Sequence, residues 1–226
     1  MSELPPQRRD SEAIQILATE HWSLLATRAL TYQESLGRVN MFLAILSGAV
    51  IALALIAQAD HFGTAFISIA IFMLAVVFFV GLATVRRLNM LNRDDYLTVV
   101  GMNRLRHGYF DVHPELEQYF TTGSHDDLLG ALRTLGLDVV TAQGLGTFFH
   151  GFVTLPGMVG VIVAAVGGAI GALAAIGFGA PTYAAILAGA AAFAAAEFGI
   201  YAVGRRSFRR YGPSLESRFP TPKPPT

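Results

Sequence analysis

Four apolar runs, at about Val39–Ala57, Thr64–Val85, Gly151–Phe178 and Thr182–Gly204, alternate with polar segments along this chain. Crossing a ~30 Å hydrocarbon core takes roughly 17–25 helical residues, and each run supplies them. The connectors Gln58–Gly63 and Gly179–Pro181 carry neither Lys nor Arg. All 16 basic residues fall in the N-terminal segment, the central segment or the C-terminal tail. Basic residues are retained on the cytoplasmic side of a membrane, so the pattern predicts four spans with both termini cytoplasmic. The expected fold class is all-α. It is a polytopic membrane protein of two transmembrane helical hairpins, over 39–85 and 151–204, with a helical cytoplasmic segment over 86–150 between them.

The polar segments have a periodicity of their own. Residues 1–10 are rich in proline and charge, the composition of a disordered N-terminus. Asp10 or Ser11 suits an N-cap, and Ile14, Leu17, Leu24, Leu25, Ala29, Tyr32 and Leu36 follow at spacings of mostly three or four. This predicts an amphipathic helix over 11–38. It either runs into the first span or bends at Gly37 and lies on the membrane, where His21 and Trp22 suit the interface. Further on, Leu88, Leu91, Val99, Met102, Leu105 and Tyr109 share one face, so the second span is expected to continue as a helix beyond Arg87. Pro114 opens a short helix through Phe120, a loop follows, and Leu128–Leu137 forms another helix ended near Gly136. No segment reads as a strand. Residues 205–226 form a tail that is first basic and then proline-rich.

Composition sharpens this picture. The chain is 53% hydrophobic and 14% charged, whereas a soluble domain carries about 25% charge. Its formal net charge is zero, so arrangement matters more than the sum. Arg86 and Arg87 follow the second span, and Arg205, Arg206, Arg209 and Arg210 follow the fourth. Such clusters hold helix ends at anionic headgroups. They track span ends rather than a groove-facing stripe, so the expected partner is the lipid bilayer and not nucleic acid. Cysteine is absent, which excludes disulfides, thiolate metal sites and cysteine nucleophiles. The first 38 residues include the acids Glu3, Asp10, Glu12, Glu20 and Glu34, so no cleaved signal peptide is expected. Fifteen Arg against one Lys, with abundant Ala and Gly, points to a bacterial plasma (inner) membrane.

The spans hold two kinds of candidate. Gly160, Gly167 and Gly171 on the third and Ala188, Ala192 and Ala196 on the fourth let helix backbones approach closely in lipid. They serve either a tight hairpin closed at Gly179-Ala180-Pro181 or self-association into a homo-oligomer. Glu197 is an ionisable residue well inside a span, about 12 Å of helix rise from Arg205. Ser47 and Thr154 fall at a similar depth. These three belong either to an ion or proton path or to hydrogen-bonded packing, with Glu197 reaching toward Arg205 or Arg206.

The central segment gathers His107, Asp111, His113, Glu115, His125, Asp126 and Asp127. His107 and Asp111 stand four apart, on one helix face. No metal-ligand spacing accompanies them, so they read as solvated surface and no metal is expected. Phosphate-binding glycine loops and a nucleophile elbow are also missing, so neither a cofactor nor an enzymatic activity is expected.

Three stretches carry a resemblance: Glu20 to Arg28, Phe42 to Ala49, and Gly101 to His107 followed by Pro114-Glu115-Leu116. Leu17 to Phe120 resembles a family of uncharacterised bacterial integral membrane proteins. The order of amphipathic helix, two-span hairpin and cytoplasmic helix is similar to SLATT-type two-span effectors, which are proposed to perturb membranes in bacterial conflict. The third and fourth spans depart from that architecture, and no functional residue carries over. The leading expectation is an oligomeric channel or pore-type protein. The runner-up is a non-conducting scaffold that recruits a cytoplasmic protein partner, followed by a small secondary transporter.

Overall fold

The computed structural model describes residues 6–136, 154–211 and 216–222, with side chains over 10–136, 154–206 and 216–222. In chain order these form α1 (Pro6–Asp60), α2 (Thr64–Val112), a 3-10 helix (Pro114–Tyr119), α3 (Leu128–Thr134), α4 (Leu155–Gly177) and α5 (Thr182–Tyr211). There is no strand among them. Segments of α1, α2, α4 and α5 are long and apolar enough to cross a membrane. The chain is all-helical and consistent with a multi-pass membrane protein.

One expectation about α1 changes, and one of two alternatives for it is taken. The helix begins at Pro6, ahead of the cap expected at Asp10 or Ser11. Proline is well placed there, because its missing N–H falls in the first turn, where no intrahelical acceptor exists. The helix then runs unbroken for 55 residues, straight through Gly37. Residues 1–5 of the expected disordered terminus, 137–150 of the central segment and the first three residues of the third run lie outside the described residues.

The described residues fall into two compact units, and α1 and α2 contribute to both. The first unit draws on residues 10–33, 91–136 and 216–222. Here α1 and α2 pair antiparallel at glycines. A Cβ on Gly101 would lie 3.1 Å from Leu24, and one on Gly108 would lie 3.3 Å from Leu17. Arg28 Nε donates to Asp95 Oδ1 at 2.7 Å on the same seam. The covered positions of α1 are thus Ile14, Leu17, His21, Leu24 and Arg28, whereas Leu25, Ala29, Tyr32 and Leu36 are exposed. The apolar spacing had merged two neighbouring stripes. The covered one admits His21 and Arg28 because each has a partner, Tyr109 stacking at 5.9 Å and Asp95. Val99, Val100 and Ala131 form the buried centre, flanked by Tyr96 and Leu135.

The second unit draws on residues 34–90 and 154–209 and holds the apolar runs. Its helices meet at small residues. A Cβ on Gly81 of α2 would come within 2.5 Å of Val163 on α4 and 3.0 Å of Phe42 on α1. On α4 and α5, added Cβ atoms at Gly168 and Gly189 would each lie 3.0 Å from the other's carbonyl oxygen. The chain enters α2 through left-handed backbone at His61 (φ 47°) and Phe62 (φ 62°). Asp60 secures this turn, its Oδ2 accepting from Phe66 N at 2.8 Å. Gly179 (φ +79°) closes α4, a backbone state in which glycine has no Cβ to clash.

Just outside the first two apolar runs, Arg87 grips Glu34 as a fork, Nε to Oε1 at 2.8 Å and Nη2 to Oε2 at 2.9 Å. Arg38 adds a bond to Oε1 at 2.9 Å. The Arg87 bonds, then the Arg38 bond, hold the Glu34 carboxyl down at about 2. This contribution to stability is complete above the ordinary Glu range and fades only as pH falls toward 2. Replacing Arg87 by Ala is expected to lower the unfolding temperature in detergent, whereas Arg86→Ala, at an exposed and unbonded side chain, leaves it within a degree or so (roughly ±0.5 kcal/mol for an exposed site). Gly171→Val forces its Cβ to within 2.6 Å of Ala192, and the expected loss is about 1–3 kcal/mol of stability in the same melt.

Candidate functional site

Buried polar groups concentrate in the first unit: Asn103, Arg106, Ser124 and Asp126 are all less than 9% exposed. The framework starts at α3. Asp127 is its N-cap, with Oδ1 accepting from Gly130 N at 2.9 Å, the third helical residue, where an orphan donor is expected. A side chain at Gly130 is impossible without rearrangement, since a Cβ would lie 2.3 Å from the His125 carbonyl oxygen. Asn103 of α2 then ties the preceding loop down. Its amide donates to His125 O at 2.7 Å, and its Oδ1 accepts from Arg106 Nη1 at 2.7 Å and Thr134 Oγ1 at 3.1 Å.

This framework presents Asp126, which is 3% exposed, to the C-terminal segment 216–222. Oδ1 accepts from Ser217 Oγ at 2.7 Å and Phe219 N at 2.8 Å. Oδ2 accepts from Arg218 N at 3.0 Å and Arg104 Nε at 2.5 Å. A carboxylate has about four lone-pair sites, so the group is saturated. Asp126 N returns a bond to Phe219 O at 3.2 Å, and Arg104 Nη2 donates to Glu216 O at 2.6 Å. Thr221 Oγ1 reaches Asp127 Oδ1 at 2.7 Å, and the Phe219 ring stacks on His107 at 3.9 Å. Backbone, hydroxyl and aromatic groups of one short segment are read together. The segment held in this way is the chain's own, residues 216–222.

Burial pushes the Asp126 carboxyl up, but the bonds from Arg218, Ser217, Arg104 and Phe219 outweigh it and hold the group well below the usual carboxylate range. Asp127 is likewise raised by burial and brought below its ordinary value by Thr221 and Gly130. On the α1 side, burial first and the Arg106 charge second lower the His21 imidazole, favouring its neutral form.

The candidates within the spans fare differently. Ser47 is exposed and forms no hydrogen bond among the described residues. Thr154 is the N-cap of α4, accepting from Gly157 N at 3.3 Å. Glu197 is half-buried, and its Oε2 has no hydrogen-bond partner. No hydrogen bond gathers the three. Of the small residues, Gly171 lies against Ala188 and Ala192, Gly167 against Ala196 and Phe78, and Gly160 against Ile200. Arg205 and Arg206 are exposed, and the side chains of Arg209 and Arg210 lie outside the described residues. In the central segment His107 Nε2 stands 3.9 Å from Asp111, and His113 bonds Glu115 at 2.9 Å. Among the described residues, no three of His, Asp and Glu form a group able to hold a metal ion.

The tail-binding role of Asp126, Arg104 and His107 is invisible in the sequence, because Asp126 and Ser217 are 91 residues apart. Only the cap signal at Asp127 was available to locate the pocket wall. No family model, curated protein or solved structure matches the chain.

Asp126→Asn keeps the side chain's shape but turns a donor toward the tail amides and leaves Arg104 unpaired. The expected cost to the tail's attachment is roughly 2–4 kcal/mol. Hydrogen exchange at the Arg218 and Phe219 amides should accelerate at neutral pH in the variant. In the wild type, protection should persist down through the ordinary carboxylate range and fail only below it, because a depressed pKa gives stability that is lost as pH falls.

Proposed function

We propose that this protein is a non-conducting scaffold of the bacterial plasma membrane. It is anchored by two transmembrane hairpins and uses a cytoplasmic helical unit to hold a short peptide segment. The observation that carries this reading is the saturation of buried Asp126, three of whose four donors come from one short segment, at Ser217, Arg218 and Phe219. A pocket that reads mainly backbone and hydroxyl groups accepts a partner's segment of similar pattern once the tail leaves. The arginine distribution supports placing this unit and both termini in the cytoplasm.

The pore reading has weaker support. The small residues of α4 and α5 that would have packed copies together are taken up by contacts within the chain, as at Gly168 with Gly189. Ser47, Thr154 and Glu197 supply no connected polar path. The amphipathic stretch of α1 serves as one wall of the peptide-holding unit in this reading.

The test uses the chain ended after Tyr211 and a fluorescent peptide covering 213–226. Saturable binding in detergent is expected, abolished by Asp126→Asn, together with no conductance from the full chain in planar bilayers. Stable unitary currents, lost on Glu197→Gln, would instead establish the pore.

A further inference from the structure

A groove of about 390 Å³ runs along the second unit between α2 and α5. Its walls include Phe78 and Leu82, its floor includes Ala196 and Gly199, and Arg86 and Asn89 stand at one end. We propose that this groove binds one anionic phospholipid, with an acyl chain along the apolar part and the phosphate at Arg86 and Asn89.

Length is the first argument. From Phe78 to Asn89 the helix rises about 16 Å, close to half of a ~30 Å hydrocarbon core and so to the chain of one leaflet. Charge is the second. Arg86 and Arg87 are neighbours, yet Arg87 is held by the Glu34 fork, whereas Arg86 is exposed and forms no ion pair or hydrogen bond among the described residues. Asn89 likewise bonds no protein group there, although the chain passes it closely, with a Cβ on Gly204 placed 3.7 Å from its Nδ2. One cation and one amide therefore face the mouth of an apolar channel without an acceptor or donor among the described residues. Arg205 and Arg206 follow on α5 and are also exposed, so this end lies at the arginine-rich leaflet. Shape is the third argument. Gly199 has no atom within 4 Å of an added Cβ, so the floor is open rather than collapsed. The apolar walls select a lipid over a free phosphate ion, which the two polar groups alone would hold weakly.

The experiment is native mass spectrometry of the purified full chain with phosphatidylglycerol or phosphatidylcholine of matched acyl chains. The wild type should retain one phosphatidylglycerol in preference to phosphatidylcholine. Arg86→Gln should weaken phosphatidylglycerol retention roughly fivefold and remove the preference, the ratio expected for one surface charge. Gly199→Phe fills the floor without touching Arg86 and should reduce retention of both lipids. Both variants are first required to melt as the wild type does, which their open surroundings allow. Unchanged retention in either variant overturns the proposal, as does displacement of the bound lipid by millimolar inorganic phosphate.

Discussion

A peptide group left without a hydrogen-bond partner in hydrocarbon costs several kcal/mol. That constraint makes each apolar run of this chain a helix. Helices, once formed, have no reason to stop where the lipid stops. α1 and α2, 55 and 49 residues long in all, therefore carry on into polar sequence, and their extensions become walls of the first unit. What holds that unit together is in part a different kind of force. The spans meet by close approach at Gly81, Gly168 and Gly171, where removing every side-chain atom gains dispersion contact. The first unit meets through charge and hydrogen bonding around Asp95, Asn103 and Asp126.

Asp126 shows why a buried charge is tolerable here. Desolvation penalises the carboxylate, and only a full set of donors offsets the penalty. Arg104 supplies one of them and the tail supplies three. Without the tail, three acceptor sites of this carboxylate lose their donors. The same reasoning separates the two arginines after the second run. Arg87 is structural because Glu34 meets its fork, and Arg86 is available because nothing does.

Much of the fold was legible from the residues. The four apolar runs, the continuation of α2, the turn at Pro114 and the stop at Gly136 are local signals, each set by neighbours within one or two helical turns. The covered face of α1 was only partly legible. Leu24 and Leu25 are equally apolar, and the choice between them was made by Gly101 on another helix. The candidate site was less legible still. Asp126 and Asp127 looked like solvated surface because their partners, Ser217 and Thr221, lie more than 90 residues away in an otherwise unremarkable proline-rich tail.

Sequence alone determined that this chain is helical and suited to lipid, because hydropathy and helix periodicity are properties of consecutive residues and need no tertiary partner. Tertiary structure decided which glycines are contacts, which arginine is spent and which aspartate is buried. Adjacent side chains on a helix point about 100° apart. Whether one of them meets a carboxylate, a methyl group or open space depends on how distant helices pack, and that is not written in its immediate neighbours.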